Sequence, residues 1–330
     1  MYNFLIFICI FNLLLIANIK TLILKFNIYD NPTSKRKFHL KKTSLIGGFV
    51  ILINIFIFCL VDNILNFSDK NFLSYRNQVS LYFFSLIIYL VGLFDDKYDL
   101  EANNKLVIFF FIILSAILVN DFLIISVLKF DFFTNAILLK KFSVFFTIFC
   151  VLLFVNAFNM FDGINLQSGI YSFILFFYFL INDINFSFSS VFLIAIIFFL
   201  ILNYKNLSFL GNSGSYMISF CISLIILANY NLGKIKNVET IFILMMIPGL
   251  DMIRVSFQRL MNGKNPFKAD RNHLHHLLIK KFSFKVTNLI LSFLILVPIL
   301  LLITTNSIIG LITGIILYTL VAIYLNFSKN

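Results

Sequence analysis

Tryptophan is absent from the 330 residues, proline occurs four times, and only 14 side chains are acidic. Each scarcity excludes something. Charged residues make up 12% of the chain and hydrophobic ones 61%, whereas a soluble domain is about a quarter charged. With a mean hydropathy of +0.99, the class is a polytopic membrane protein. No Pro-rich linker and no tandem repeat divides the chain, so 1–330 reads as a single membrane-embedded domain. Cys9, Cys59, Cys150 and Cys221 stand far apart inside apolar runs, without a CxxC or a Cys/His cluster. That excludes a disulfide framework and a zinc site. The stretch 1–24 lacks a basic n-region and a small-residue cleavage site, so it reads as a retained first span rather than a signal peptide. Abundant Phe, Ile, Asn and Lys without Trp has the look of AT-rich coding bias, and a single Phe carries little meaning. A net charge of +12 could suggest nucleic acid. Basic loops of a membrane chain are the plainer account, and no nucleic-acid partner is expected.

A span needs about 20 apolar residues. Apolar runs near 4–24, 46–61, 79–94, 105–120, 142–158, 169–181, 188–203, 214–232, 239–253, 286–303 and 307–325 predict an all-α polytopic integral membrane protein with 10–11 transmembrane helices. The segment 121–141, with Asp121, Lys129, Asp131, Lys140 and Lys141, reads as an external re-entrant or amphipathic piece. If the loop 25–45 faces the cytoplasm, 18 of the 26 Lys and Arg lie on that side and seven on the other. This places the N-terminus outside and the C-terminus inside. The same topology collects all four histidines, Asp95, Asp96 and Asp162 on one face, which a one-sided active site on cytoplasmic loops requires.

Within those loops, Asp95, Asp96 and Asp99 fall together directly after an apolar run. Adjacent carboxylates repel unless a cation or donors offset them, and Mg²⁺ is commonly held by one or two carboxylates plus substrate phosphates. Arg36 and His39 belong to a basic loop leading to Gly47-Gly48, which by itself reads as an ordinary positive-inside anchor and otherwise as a collar for phosphates. Asn156, Asn159 and Asp162 recur at three-residue spacing, which on a helix shares one face; Gly163 and Asn165 follow. Gly211-Asn212-Ser213-Gly214-Ser215 opens a span, and free N–H groups at a helix start make an anion site; a plain small-residue loop is the other reading. Arg271-Asn272-His273-Leu274-His275-His276 clusters three imidazoles beside an Arg. HExxH is absent, and the cluster suits a metal or a diphosphate equally. Together these are the parts for phosphoryl transfer to a membrane-borne acceptor.

The residues resemble the polyprenyl-phosphate N-acetylhexosamine-1-phosphate transferases, the family that includes the enterobacterial-antigen and peptidoglycan sugar-phosphate transferases. Asp95-Asp96 with Leu100 is similar to its aspartate-pair motif, Asn156 to Gly163 to NxxNxxDG, and His273 to His276 to HxHH. The resemblance runs the length of the chain and fits the enterobacterial-antigen branch better than the peptidoglycan one. It implies transfer of an N-acetylhexosamine 1-phosphate from a UDP-sugar to undecaprenyl phosphate, releasing UMP, with Mg²⁺ or Mn²⁺, in a bacterial inner membrane. By the same resemblance Asp95, Asp96 and Asp162 are catalytic. Asp96, Asn159, Asp162 and Asn212 are expected at the metal. Arg36, His39, Asn156, Asn165, Arg271, His273, His275 and His276 are expected at the substrates, and a homodimer is expected.

Two positions depart from the family pattern. Asn165 stands where relatives usually have Asp in DGxD, and Asn212 where they usually have Asp in GDxGS. Each removes a negative charge. They motivate a second reading, a catalytically silent binder of lipid phosphate or nucleotide sugar. A transporter fits the span count, but its ionisable groups would sit at mid-membrane rather than at loop edges.

Overall fold

A computed structural model describes residues 1–30, 42–65, 75–265 and 271–327. Thirteen α-helices are found there: α1 (Tyr2–Ala17), α2 (Ile19–Phe26), α3 (Gly47–Leu65), α4 (Tyr75–Tyr98), α5 (Ala102–Val119), α6 (Ser143–Phe161), α7 (Gln167–Ile181), α8 (Phe186–Tyr204), α9 (Gly211–Asn231), α10 (Val238–Met261), α11 (Leu274–Lys281), α12 (Phe284–Thr304) and α13 (Ser307–Phe327). Nine are individually long and apolar enough to cross a bilayer, and α1 with α2 forms a tenth, bent by 67°. The apolar α7, at 15 residues, accounts for the eleventh predicted run. Every predicted run therefore meets a helix. The fold is an all-α polytopic membrane protein.

α9 is the hub. Every residue from Ser213 to Tyr230 is buried, among α3, α4 and α6. Its sequence explains how so many neighbours fit. Gly214 and the Ser213, Ser215, Ser219 and Ser223 series keep the helix thin, and small residues let backbones approach closely. A Cβ placed on Gly48 of α3 would lie 2.7 Å from the Gly214 backbone, and one on Gly92 of α4 would lie 2.3 Å from the Ser213 Cα. Larger side chains at these glycines would push α3 and α4 off the start of α9. Gly92 is one helical turn before Asp96, so this contact sets the position of the acidic pair.

Short antiparallel pairings cap both ends. Strand β1 (Tyr29–Asp30) pairs with β2 (Thr43–Ser44), and the chain after β2 lies against 208–210 through Phe209 N to Ser44 O (2.8 Å) and Gly47 N to Phe209 O (3.0 Å). At the far end β3 (Val127–Leu128) pairs with β4 (Ile137–Leu138) between two 3₁₀ turns. The segment 121–141 is thus a hairpin, not the expected re-entrant or amphipathic piece. Tyr230 at the end of α9 fixes it, accepting from Lys129 N (2.7 Å) and donating to Val127 O (2.9 Å). Strand pairing and this hydroxyl satisfy backbone groups that a lone amphipathic turn would leave to solvent.

Far-end loops bond to one another: Lys234 Nζ donates to Asp183 O (2.8 Å) and Val238 N to Lys129 O (2.9 Å). The loops carrying Asp96, Asp162, Asn212 and His275 meet at the opposite end. Among the described residues the predicted sorting of the motif loops to one end holds; His39 lies outside them.

Candidate active site

α4 ends in the acidic pair because Asp99 adopts a positive φ of 49°, its N–H still bonding to Asp95 O (2.9 Å). The two carboxylates point to different work. Asp95, 2% exposed, accepts from Lys105 Nζ at 2.8 Å, from Leu100 N at 2.9 Å and from the Tyr216 hydroxyl at 3.1 Å. It is a neutralised, fully engaged group. Asp96 instead accepts from Asn212 N (2.8 Å) and Ser213 N (3.1 Å), the first free donors of α9. The sequence left this start open as an anion site or a plain small-residue loop. In the folded chain the anion at the α9 start is Asp96 itself, a charge-assisted arrangement the helix dipole favours. Gly211 makes it possible. Its φ is +76°, and a Cβ there would lie 2.8 Å from Asp96 Oδ2.

Asn159 and Asp162 come from the end of α6. Asn159 accepts from Ser215 Oγ (2.6 Å) and donates to the Tyr216 hydroxyl (3.1 Å), so Tyr216 links it to Asp95. Asp162 follows the last turn of α6 and accepts from Ser168 Oγ. Burial raises its carboxyl to about 7, the Ser168 hydrogen bond opposes the rise, and the negative charge of Asp96 adds to it. Asp96 and Asp162 therefore feel each other across the site.

The Asn156, Asn159 and Asp162 stripe does not form one ligand face. Asn156 turns its amide to Met252 Sδ of α10 at 3.8 Å. Asn165 is drawn away as well, donating to Asn203 O (3.2 Å) and Asn206 Oδ1 (2.5 Å), and thereby ties the turn before α7 to the end of α8. Asn212 meets Asp96 through its backbone. Arg36 and His39 lie outside the described residues; the chain that follows them reaches 208–210, beside the start of α9.

The histidine loop is held by a residue that no motif reading selected. Asp251 is 2% exposed and sits on α10, three residues beyond Pro248. One oxygen accepts from His273 Nδ1 at 2.8 Å; the other accepts from Arg254 Nη2 (2.7 Å), Leu274 N (3.1 Å) and the Tyr318 hydroxyl (3.3 Å). Arg254 also donates to Asn272 O (2.6 Å) and to the Tyr318 hydroxyl (3.0 Å). A carboxylate and a guanidinium thus clamp both ends of the turn that starts α11. The available signal was a lone Asp inside the apolar run 239–253, because an ionisable residue in a span is a functional candidate by default. Tyr216 and Lys105 carried no comparable signal.

His275 is 1% exposed and brings the loop to the carboxylates. Its Nδ1 is 3.5 Å from Gln167 Nε2, and its ring lies over Gly163, where an added Cβ would be 2.0 Å from Nε2. That Nε2 is buried and has no hydrogen-bond partner in the folded chain. Any side chain at position 163 would push the imidazole away. Burial, reinforced by the neighbouring His276, lowers His275 well below the usual histidine range. His276 falls to about 4, from burial first and then the positive charges of His273 and Arg271. Both rings are neutral near pH 7, so they serve as N–H donors or lone-pair acceptors.

Among the described residues no group of three or more His, Cys, Asp and Glu forms a metal cage. A divalent cation nevertheless suits the donors present. Asp95 has its countercharge in Lys105, whereas Asp96 and Asp162 oppose each other with only hydroxyl and N–H donors. Mg²⁺ needs few protein ligands when phosphates supply the others.

Comparisons with known proteins give the family. The sequence profile of Glycosyl transferase family 4 matches residues 78–229, from α4 through α9. A Thermotoga maritima protein named undecaprenyl-phosphate alpha-N-acetylglucosaminyl 1-phosphate transferase is 30% identical over 271 residues, 81% of this chain and 78% of the relative. Proteins of the same name from Salmonella typhi and Escherichia coli K12 are 29% identical, the first over 84% of this chain and 76% of its own length, the second over 78% and 70%. With that identity sustained over most of both chains, and with the acidic pair, Asp162 and the histidine loop meeting at one end of the bundle, the protein belongs to glycosyl transferase family 4.

Proposed function

We propose that the protein transfers N-acetylglucosamine 1-phosphate from its UDP derivative to undecaprenyl phosphate. An oxygen of the lipid phosphate attacks the phosphorus bonded to the sugar, the bond from that phosphorus to the UMP oxygen breaks, and UMP leaves. The observation that carries the reading is the meeting of Asp96, Asp162 and His275, from three distant parts of the chain, at one end of the helix bundle. The names of the relatives supply the donor sugar and the lipid acceptor. A bacterial inner membrane with this end cytoplasmic suits a UDP-sugar donor and the distribution of Lys and Arg.

A Mg²⁺ ion, replaceable by Mn²⁺, would be held by Asp96 and Asp162, with Asn159 and Asn212 expected beside it from the family resemblance, and when bound it would neutralise charge on the diphosphate. The chain's own groups do the rest. The α9 N–H groups orient Asp96. Tyr216 and Lys105 hold Asp95 so that its neighbour faces the site. His275, neutral and buried, offers Nε2 to a ligand atom beside Gly163. Arg271 supplies positive charge for the diphosphate.

The silent-binder reading rested on Asn165 and Asn212, and neither position argues for it in the fold. Asn165 needs an amide donor to bond Asn203 and Asn206, which a carboxylate cannot provide. Asn212 meets Asp96 through an N–H that Asp would equally possess. The deciding experiment is UMP release by the purified protein with undecaprenyl phosphate, Mg²⁺ and UDP-N-acetylglucosamine. Release abolished by EDTA is expected. No release from a folded preparation that binds the donor would overturn the reading.

The raised Asp162 carboxyl gives a pH dependence. A cation there must displace a proton below about 7, so the apparent Mg²⁺ affinity should rise roughly tenfold per pH unit up to about pH 7 and then level off. Mg²⁺ titrations of UMP release from pH 5.5 to 8 read this directly. Asp162→Asn, which cannot titrate, should flatten the profile in a binding assay.

A further inference from the structure

The last sixty residues, 271–330, contain five Lys and Arg and no Asp or Glu. In the fold, residues 278–324 build a feature apart from the carboxylate site. α11, α12 and α13 enclose an open groove of about 640 Å³ whose walls are almost wholly apolar, lined by Leu278, Phe282, Leu289, Phe293, Leu317 and Tyr324 among others. Its volume lies in the range of small-ligand sites. Two lysines stand at its loop end. Lys281 Nζ sits over the Tyr324 ring, 4.2 Å from the centroid, and Tyr324 lines the groove. Lys285 precedes Leu289 by one turn on α12, and Leu289, Phe293 and Leu296 continue the same stripe down the groove.

Lys285 is in an unfavourable place for a cation. It occupies the first turn of a 21-residue helix with no acidic residue there, where the helix dipole favours negative charge. Two exposed lysines, a helix start and the absence of acids over the segment leave a local positive field with no ion-pair partner among the described residues, directly at the mouth of an apolar trough. That is the charge and shape pattern of an anionic amphiphile: phosphate at the rim, hydrocarbon in the groove.

We propose that this groove is a binding site for an anionic phospholipid, its headgroup phosphate on Lys281 and Lys285 and an acyl chain along α12 and α13. The occupant has a route to the active site. α11 is eight residues long; its first turn carries His275 and His276, and its last turns carry Leu278 and Lys281, the groove wall and rim. A lipid seated there braces the helix that positions the imidazoles.

The test needs no turnover, so its failure is distinct from failure of the transferase reading. Delipidated full-length protein is exposed to vesicles of phosphatidylglycerol or phosphatidylcholine, and retained lipid is counted by native mass spectrometry alongside the melting temperature. Retention of phosphatidylglycerol over phosphatidylcholine by on the order of tenfold is expected, with a higher Tm in the anionic lipid. Lys281→Gln with Lys285→Gln should abolish the headgroup preference, and Leu289→Trp should reduce retention of both lipids. Equal retention of the two lipids would mean annular lipid only and overturn the proposal. So would displacement of phosphatidylglycerol by undecaprenyl phosphate at equimolar amounts, which would assign the groove to the substrate tail. A dimer mass lost in Leu289→Trp would assign it to a second copy of the chain.

Discussion

Asp96→Asn is expected to lower sugar-phosphate transfer by roughly three orders of magnitude while leaving the protein folded. Two losses add. The carboxylate accepts two backbone hydrogen bonds at the α9 start, each about 1.5–3 kcal/mol when the acceptor is charged. An amide at 96 can present only one oxygen and sets an NH₂ against an N–H. It also removes the negative charge of Asp96 from the site, and electrostatic groups of this kind are each worth about 10²–10³ in rate. Asp95→Asn is the informative control. Its partner Lys105 is 2.8 Å away, so the change breaks an ion pair and shifts Tyr216, costing activity through position alone. UMP release for both variants, with thermal melts to verify folding, checks the order. A fully active Asp96→Asn would remove that carboxylate from the mechanism, and equal losses would refute the division of labour between the two neighbours.

The second large effect belongs to Asp251. Removing it as Asp251→Ala leaves the half-buried Arg254 and the buried His273 without their shared acceptor and strips the α11 start of the acceptor for Leu274 N. Breaking one side of a buried ionic cluster costs about 3–5 kcal/mol. Here the cost should appear locally, as a loosened turn at 272–274 and a displaced His275. Transfer is expected to fall by on the order of a hundredfold, with the donor KM rising, because a 1 Å displacement of a positioning group can cost that much. Asp251→Asn retains an acceptor for Leu274 N and should fall between the two. Hydrogen exchange at the 274–278 amides gives the readout independent of catalysis. Unchanged protection there, or an unchanged donor KM in Asp251→Ala, would show that the histidine loop is held by other contacts.

The sequence by itself determined the class, the number of apolar runs and the sorting of the motif loops. Each follows from one-dimensional physics. A run of about 20 apolar residues has no stable alternative to a helix in lipid, and the parity of successive spans assigns every loop to an end. It also selected Asp96, Asp162 and His275, since acidic and imidazole groups are too scarce in this chain to cluster without a use. Only the tertiary structure decided what each polar group faces. The rotation of α4 against α9, set by the Gly92 and Ser213 contact, sends Asp95 to Lys105 and Asp96 to the helix start, although the two are adjacent in sequence. The rotation of α6 turns Asn156 toward α10 and Asn159 toward α9, against their shared spacing. Asp251 shows the difference most clearly. Arg254 lies one turn further along the same helix, whereas its other partners, His273 and Tyr318, come from the loop before α11 and from α13. Hydropathy and spacing describe a residue's own segment, whereas hydrogen bonds and ion pairs depend on which faces of different segments are pressed together.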